Sequence, residues 1–278
     1  MRKYLVIGNP IGHSLSPLIH NHWMKKYHLV DSVYEKRKVE EKDLKNIIEE
    51  IRNDKVIGVN VTVPFKKLII PFLDKLDFCA EETQSVNTLF KVDNKIIGYN
   101  TDKAGFGDTI KKAYTQSNGL ETPLPLKGKR IFILGAGGVT SSIISALKSE
   151  GANSIILSNR TKEKANELKK LFPELEVIDW GKKPSTSNIV VNTTSVGLTK
   201  DEELKIDFSD YDKNFHKNFL FYDLIYNPKE TVFLKKARLR GNKTMNGKMM
   251  FLNQAKYAFN IWTNIMPEID NDVIKLLD

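Results

Sequence analysis

The sequence predicts an α/β protein of two domains with a cleft between them. Three observations carry this reading. Short apolar runs that read as strands alternate with segments of helical spacing along most of the chain, the pattern of sheets flanked by helices. One strand, Arg130-Ile131-Phe132-Ile133-Leu134, runs straight into Gly135-Ala136-Gly137-Gly138 and a helical segment, which makes a βαβ unit with glycines at its first turn. Between the two regions of alternation, residues 117–127 carry Asn118-Gly119, Pro123 and Pro125, the most linker-like composition in the chain.

Taken in order, Tyr4-Leu5-Val6-Ile7 is a buried-strand run closed by Gly8-Asn9-Pro10, and the loop to Pro17 leads into a helix over 18–27. Ser14 and Ser16 lie in that loop, at a strand's carboxyl end, where two hydroxyls can hydrogen-bond a small polar ligand. Capping by Ser16 ahead of Pro17 accounts for one serine but not for both. His13 reads as an ordinary loop histidine, and His20, His22 and His28 share no metal-ligand spacing with a cysteine or carboxylate cluster, so no metal is expected. An edge-like strand over 33–39 and an amphipathic helix over 43–52 (Leu44, Ile47, Ile48, Ile51) come next. A strand over 56–61 ends in Thr62-Val63-Pro64-Phe65-Lys66-Lys67. Lys66 therefore stands just past a strand end, where function concentrates in open α/β sheets; the plain alternative is a surface lysine like its neighbour Lys67. Residues 73–76 and 79–81 read as helical pieces, 85–90 and 95–102 as a hairpin, and Asp102 leads a helix over 103–114. As an N-cap Asp102 needs no function; as a carboxylate near Lys66 it is half of an acid/base pair.

The glycine-containing unit continues with Val139, Ile143, Ile144, Ala146 and Leu147 at helical spacing, a turn at Gly151, and a second strand over 154–158. Glycines at such a turn let the backbone approach a pyrophosphate, whose charge is met by free N–H groups and the helix N-terminus. Thr140 stands where a third glycine is usual. About 20 residues beyond the glycines, NAD-binding units carry an acid for the ribose 2′-hydroxyl. Here that place holds Asn159-Arg160-Thr161, with Lys162 and Lys164 beyond. A carboxylate would repel a 2′-phosphate, whereas a guanidinium pairs with it bidentately, so NADP is expected over NAD. Thr161 also suits capping of the helix over 163–172. Strands over 175–178, 188–192 and 220–226 are nearly continuous apolar runs, as in buried parallel sheets, and helices over 231–240 and 249–262 flank a short strand at 243–244. The whole is a Rossmann-like, doubly wound domain.

Composition narrows the function classes. Hydrophobic residues make up 41% and charged residues 28%, ordinary for a globular protein. No apolar run approaches the ~20 residues of a membrane span, and the N-terminus reads as a first strand rather than a signal peptide. A single cysteine, Cys79, leaves no internal disulfide and fits a reducing, cytoplasmic setting. The net charge is +9, yet the cations are dispersed in pairs such as Lys66-Lys67 and mixed with acids, and only seven of the 43 are arginines. That pattern suits solvated faces and a positive field for an anionic cofactor and substrate, not a nucleic-acid surface.

Nine motifs, in order and at matching spacing, resemble the shikimate dehydrogenase family from end to end: the run from Gly8 to Pro17, Asn60-Val61-Thr62-Val63-Pro64-Phe65-Lys66, Val86-Asn87-Thr88, Asn100-Thr101-Asp102, Gly135-Ala136-Gly137-Gly138, Asn159-Arg160-Thr161, Asn192-Thr193-Thr194-Ser195, Tyr222-Asp223-Leu224-Ile225-Tyr226, and Asn246-Gly247 with Gln254. The resemblance implies reversible reduction of 3-dehydroshikimate to shikimate by NADPH, a step of aromatic amino-acid (chorismate) biosynthesis. It implies a substrate-binding and catalytic domain of residues 1–102 completed by helices in 249–278, an NADP-binding domain of 103–248, and a monomer or homodimer. Lys66 and Asp102 would be the catalytic pair. Ser14, Ser16, Thr62, Asn87, Tyr226 and Gln254 would contact the substrate. Gly135, Ala136, Gly137, Gly138 and Val139 would wrap the pyrophosphate, Asn159, Arg160, Thr161 and Lys164 the ribose phosphate, and Leu224 and Gly247 would lie beside the nicotinamide. The other readings are a quinate/shikimate dehydrogenase with relaxed cofactor use, against which Arg160 argues, and a ligand-sensing homologue.

Three departures from the family pattern stand out. Lys103 replaces a usual glycine, and its side chain either crowds the domain junction or points into solvent. Met249 replaces a glycine before the last long helix. Val139-Thr140-Ser141 lacks a usual cation on the cofactor side.

Overall fold

The computed structural model describes residues 1–118, 124–184, 187–199, 202–211 and 219–278; the middle of the proline-containing linker, 119–123, lies outside them. Two units are distinct, Met1–Phe106 with Leu252–Asp278, and Gly107–Phe251.

The first unit is built on six strands: β1 (Arg2–Gly8), β2 (Ser32–Lys38), β3 (Gly58–Val61), β4 (Lys75–Leu76), β5 (Thr88–Val92) and β6 (Lys95–Tyr99), in the spatial order β2-β1-β3-β5-β6-β4. β1 runs parallel to β2 and β3, while β5 is antiparallel to both β3 and β6. β2 is one edge, and its exposed Glu35, Lys36 and Lys38 suit a strand that must not recruit another. Asp93 and Asn94 join β5 to β6 with φ of 48° and 60°, the left-handed pair that a two-residue hairpin turn requires. α2 (Leu44–Arg52) buries Leu44, Ile47, Ile48 and Ile51, one face at i, i+3, i+4 and i+7. The helical reading of 73–76 is overturned. The Asp74 N–H donates to Ile96 O (3.0 Å) and the Asp74 carboxylate accepts from the Ile96 N–H (2.7 Å), which draws Lys75 and Leu76 into parallel register with β6.

The last helices, α8 (Lys248–Thr263) and α9 (Asn271–Lys275), return to this first unit. Trp262 fixes α8 there: its indole N–H donates to Leu89 O at 3.0 Å, and a Cβ on Gly58 would collide with its ring. Tyr4 and His20 stand 5.4 Å from the same ring, centroid to centroid. His20 lies on α1 (Ser16–Lys26), so strand, first helix and last helix share one aromatic core.

The second unit holds β7 (Arg130–Leu134), β8 (Ser154–Ser158), β9 (Glu176–Ile178), β10 (Ile189–Asn192), β11 (Leu220–Asp223) and β12 (Lys243–Met245), every neighbour parallel, in the order β12-β11-β10-β7-β8-β9. That is the doubly wound order, whose direction reverses between β7 and β10. β10 and β11 are buried along their whole length, as their apolar runs predicted. α5 (Thr140–Ser149), α6 (Lys162–Leu171) and α7 (Val232–Leu239) are its helices, and α4 (Asp102–Asn118) precedes the unit's first strand. β11 stops at Asp223, three residues short of the expected end, because the Asp223 carboxylate takes the Ile225 N–H (3.1 Å) that a ladder would have used.

Candidate active site

In the first unit the predicted residues gather at the carboxyl ends of β1 and β3 and the start of α4. A Cβ on Gly8 would stand 2.6 Å from the Thr62 methyl, so glycine lets the loop after β1 close onto the loop after β3. The Thr62 N–H donates to Ile7 O (2.9 Å) and its carbonyl accepts from Phe65 N–H (2.9 Å), a turn that leaves Lys66 one step inside the fold. The Lys66 ammonium donates to the Asp102 carboxylate at 2.5 Å, with side-chain exposures of only 11% and 7%. Lys66 is therefore no surface lysine like Lys67, which is exposed. Asp102 is also released from capping: Asn100 Oδ1 accepts the Lys103 N–H (3.2 Å), and the Asp102 side chain is left to the lysine.

Asn87, 3% exposed, faces the same region from the residue before β5. Its Oδ1 accepts from the Thr101 N–H and its Nδ2 donates to Thr101 Oγ1, both 2.9 Å, which ties it to the residue next to Asp102. Ser14 Oγ donates to Ser16 Oγ at 3.2 Å, and Ser16 does not cap α1. Gln254, half-buried on α8, lies against α4 one turn beyond Asp102, since a Cβ on Gly105 would come within 2.8 Å of the Gln254 nitrogen. Lys103 does not hang in solvent: its ammonium pairs with Glu82 at 2.5 Å, above the Phe78 ring.

In the second unit the glycine turn is backbone architecture. Gly135 has φ +109°, and a Cβ there would meet Thr193 Oγ1 at 2.7 Å and Thr194 Cγ2 at 2.8 Å. Next to Gly137 the space is open, with no atom nearer to an added Cβ than Thr193 O at 4.0 Å. Thr193 Oγ1 also reaches Leu134 O (2.9 Å), so the loop after β10 cross-braces the turn after β7. Thr140, at the usual third-glycine position, is buried with its hydroxyl 2.9 Å from Thr193 Oγ1. Val139 takes the N-cap position of α5 without side-chain capping, and Gly138 leads into it. Asn159 Oδ1 accepts the Ala136 N–H at 3.0 Å, and its Nδ2 donates to Thr161 O at 2.7 Å. Thr161 is the N-cap of α6 but makes no side-chain cap bond. Arg160 and Lys164 are exposed and form no ion pair among the described residues, whereas Lys162 is held by Asp179 at 2.6 Å.

Leu224 and Gly247 touch through their backbones, since a Cβ on Gly247 would overlap the Leu224 carbonyl. Tyr226 is stacked on Phe251, with centroids 4.5 Å apart and planes 17° from parallel. Met249 lies beside Met245, Asn246 and Leu234 at a cavity of about 300 Å³. Two polar residues that end β10 and β11 went without a role in the sequence reading. The Asp223 carboxylate accepts from Asn192 Nδ2 (3.1 Å), Ile225 N–H (3.1 Å) and Thr231 Oγ1 (2.6 Å), and burial pushes it up to about 6. The available signal was a single polar residue closing each apolar run. His20 is fully buried and neutral, its pKa pushed down to about 3 by burial. Among the described residues no group of three or more His, Cys, Asp or Glu could hold a metal ion, and no helix is long and apolar enough to cross a membrane.

The chain is similar to known proteins along its whole length. Residues 6–89 match the shikimate dehydrogenase substrate binding domain, and residues 120–209 match the shikimate / quinate 5-dehydrogenase family. A shikimate dehydrogenase (NADP(+)) of Pelagibacter ubique is 50% identical over 277 residues, covering 100% of this chain and 99% of its own. That of Caldanaerobacter subterraneus is 38% identical, covering 93% of this chain and 90% of its own. Among solved structures, shikimate dehydrogenase from Aquifex aeolicus has a TM-score of 0.83 at 38% identity, covering 100% of this chain and 97% of the other. A shikimate dehydrogenase in complex with NADP+ has a TM-score of 0.86 at 33% identity, covering 100% of this chain and 94% of the other. A two-unit α/β fold, a buried lysine–aspartate pair and a glycine turn of doubly wound topology thus meet full-length relatives that share all of this chain's span: the chain belongs to the shikimate dehydrogenase family.

Proposed function

We propose that this chain reduces 3-dehydroshikimate to shikimate with NADPH, reversibly, as a step of aromatic amino-acid biosynthesis. The buried Lys66–Asp102 pair is the observation that carries the reading, because a ketone reduction needs a positioned proton and a cation for the developing alkoxide. Bound NADPH supplies the hydride. Lys66 holds the ketone oxygen with its ammonium and gives it the proton. Asp102 keeps that ammonium in place and accepts a hydrogen bond from a neighbouring substrate hydroxyl. Ser14 and Ser16 donate to the substrate carboxylate, and Thr62, Asn87, Tyr226 and Gln254 read the remaining oxygens.

Residues 1–102 with 249–278 form the substrate-binding and catalytic domain, and 103–248 the NADP-binding domain. The cofactor fits the second unit's residues. The open space at Gly137 admits a pyrophosphate against the backbone from Gly135 to Val139, and the exposed Arg160, with Asn159, Thr161 and Lys164, suits a 2′-phosphate. Leu224 and Gly247 would line the nicotinamide. The single Cys79 and the use of NADPH fit a cytoplasmic enzyme acting as monomer or homodimer on a small molecule, with no nucleic-acid or membrane partner.

A two-cofactor, two-substrate comparison tests this. Initial rates with NADP+ or NAD+ against shikimate or quinate are expected to give the highest kcat/KM for NADP+ with shikimate. A preference for NAD+, or for quinate, overturns the assignment.

A further inference from the structure

Asn100 stands just past the end of β6, 4% exposed, and its side-chain amide bonds in two directions. Oδ1 accepts the Lys103 N–H at 3.2 Å, in the first turn of α4. Nδ2 donates to Ser85 O at 2.7 Å and to Thr83 Oγ1 at 3.0 Å. The orientation of the amide is forced. A carbonyl can only accept and a backbone N–H can only donate, so the nitrogen must face Ser85 and the oxygen must face Lys103. The Thr83 hydroxyl sends its own proton to Cys79 O at 2.7 Å, which leaves its oxygen to accept from Asn100. The backbone of Asn100 is fixed as well. Its N–H donates to Asp77 Oδ1 at 3.3 Å, the oxygen that also takes the Ala80 N–H at 2.8 Å to cap α3 (Phe78–Thr83).

The two ends of this amide hold the two segments that carry Lys66 and Asp102. Val86, next to Ser85, donates its N–H to Lys66 O at 2.9 Å, so the segment that Nδ2 grips is the one that fixes the lysine backbone. Lys103 directly follows Asp102, and the N–H that Oδ1 meets is one that a free carboxylate beside it would be drawn to cap. With a neutral oxygen already there, the Asp102 side chain turns to Lys66 at 2.5 Å. We propose that Asn100 is a positioning residue of the substrate site, which sets the Lys66 ammonium against the Asp102 carboxylate by tying the Ser85–Val86 segment to the first turn of α4. The proposal deepens the shikimate reading, on which it rests for the roles of Lys66 and Asp102. Asn87 clamps the Thr101 backbone on the near side of Asp102, and Asn100 meets the N–H on its far side.

Asn100→Ala removes both ends. The expected result is a kcat for shikimate oxidation lowered about 10- to 100-fold, the scale of one or two lost buried hydrogen bonds, with KM for NADP+ changed less than about twofold. In an Asp102→Asn background the same substitution should cost less than about threefold, because its effect passes through that carboxylate. Asn100→Ser keeps an oxygen that can cap the Lys103 N–H and loses the reach to Ser85, so kcat should fall by about 3- to 10-fold. Equal costs in the two backgrounds, an unchanged kcat in either variant, or a matching loss in NADP+ affinity overturns the proposal. Should Asn100→Ala fail to fold, Asn100→Ser and its cycle with Asp102→Asn carry the same decision. A measurement without turnover separates the proposal from the dehydrogenase reading. In protein labelled with 13C at the aspartate carboxyls, the Asp102 resonance, assigned by its loss in Asp102→Asn, should move in Asn100→Ala and lie nearer its native position in Asn100→Ser; an unmoved resonance sinks the idea. If the unaltered protein fails to oxidise shikimate, the functional assignment falls and that resonance alone decides whether Asn100 sets the pair.

Discussion

In the first unit the groups proposed to react are side chains that hold one another. Lys66 is fixed by Asp102, Asp102 is freed from capping by Asn100, and Asn87 is clamped by Thr101. In the second unit the predicted anion site is made of backbone, and its surroundings exclude side chains: Thr193 fills the space where a Cβ on Gly135 would lie, and the backbone carbonyl of Leu224 fills that of Gly247. The difference teaches what each site tolerates. A side-chain site loses chemistry when a residue is trimmed and keeps its frame. A backbone site survives trimming around it and fails when an atom is added.

Trimming should be most damaging at Lys66. Lys66→Ala is expected to lower kcat by about 10²- to 10⁴-fold, the usual worth of a positioned acid, with the circular dichroism of the native protein retained; normal turnover in that variant would end its assignment. Adding one carbon in the second unit comes next. Gly247→Ala, driven against the Leu224 carbonyl, should cost about 2 kcal/mol or more in denaturant unfolding and weaken NADPH binding in a fluorescence titration, whereas a neutral result would place that backbone contact in doubt. Arg160→Ala trims an exposed side chain, so stability should hold while NADPH affinity drops by about tenfold or more and NADH affinity stays level; equal losses toward both cofactors would remove Arg160 from the 2′-phosphate.

A smaller effect concerns Asp223. Its carboxyl titrates near 6 in the folded chain against 3.8 ordinarily, so between those values the folded state carries the extra proton. The contribution of this group to stability is therefore greatest below about pH 4 and declines as pH rises through 6. Asp223→Asn should flatten that decline when unfolding midpoints are compared between pH 4 and 7, and an unchanged slope would refute the shifted titration. The smallest effect is expected at Lys103. Its pair with Glu82 is partly exposed, so Lys103→Ala should change stability by no more than about 1 kcal/mol; a collapse of folding would show that the departure from glycine is structurally required.

Periodicity made most of the fold legible. Leu44, Ile47, Ile48 and Ile51 announced α2, and uninterrupted runs such as Ile189-Val190-Val191 announced buried parallel strands. Residues 73–76 misled because nothing local marks a two-residue strand; its register comes from Asp74 bonding to Ile96, 22 positions away. Lys66 and Asp102 were legible as candidates by their places after a strand and before a helix. Their pairing, which only the family resemblance implied, depends on segments 36 positions apart meeting, whereas Asn100 takes the Lys103 N–H locally.

Trp262 gives the molecule a history as well as a core. The indole that covers Gly58 and bonds Leu89 belongs to a segment 173 positions downstream of that partner, with the entire doubly wound unit in between. During synthesis the opening sheet must wait, its aromatic face bare, until α8 has left the ribosome, and closing so long a loop costs on the order of 4 to 5 kcal/mol in chain entropy. The uninterrupted second unit meets no such delay. The half of the enzyme that is translated first is thus the half that matures last, and a chain cut short ahead of α8 would carry a finished nucleotide fold beside an unfinished one.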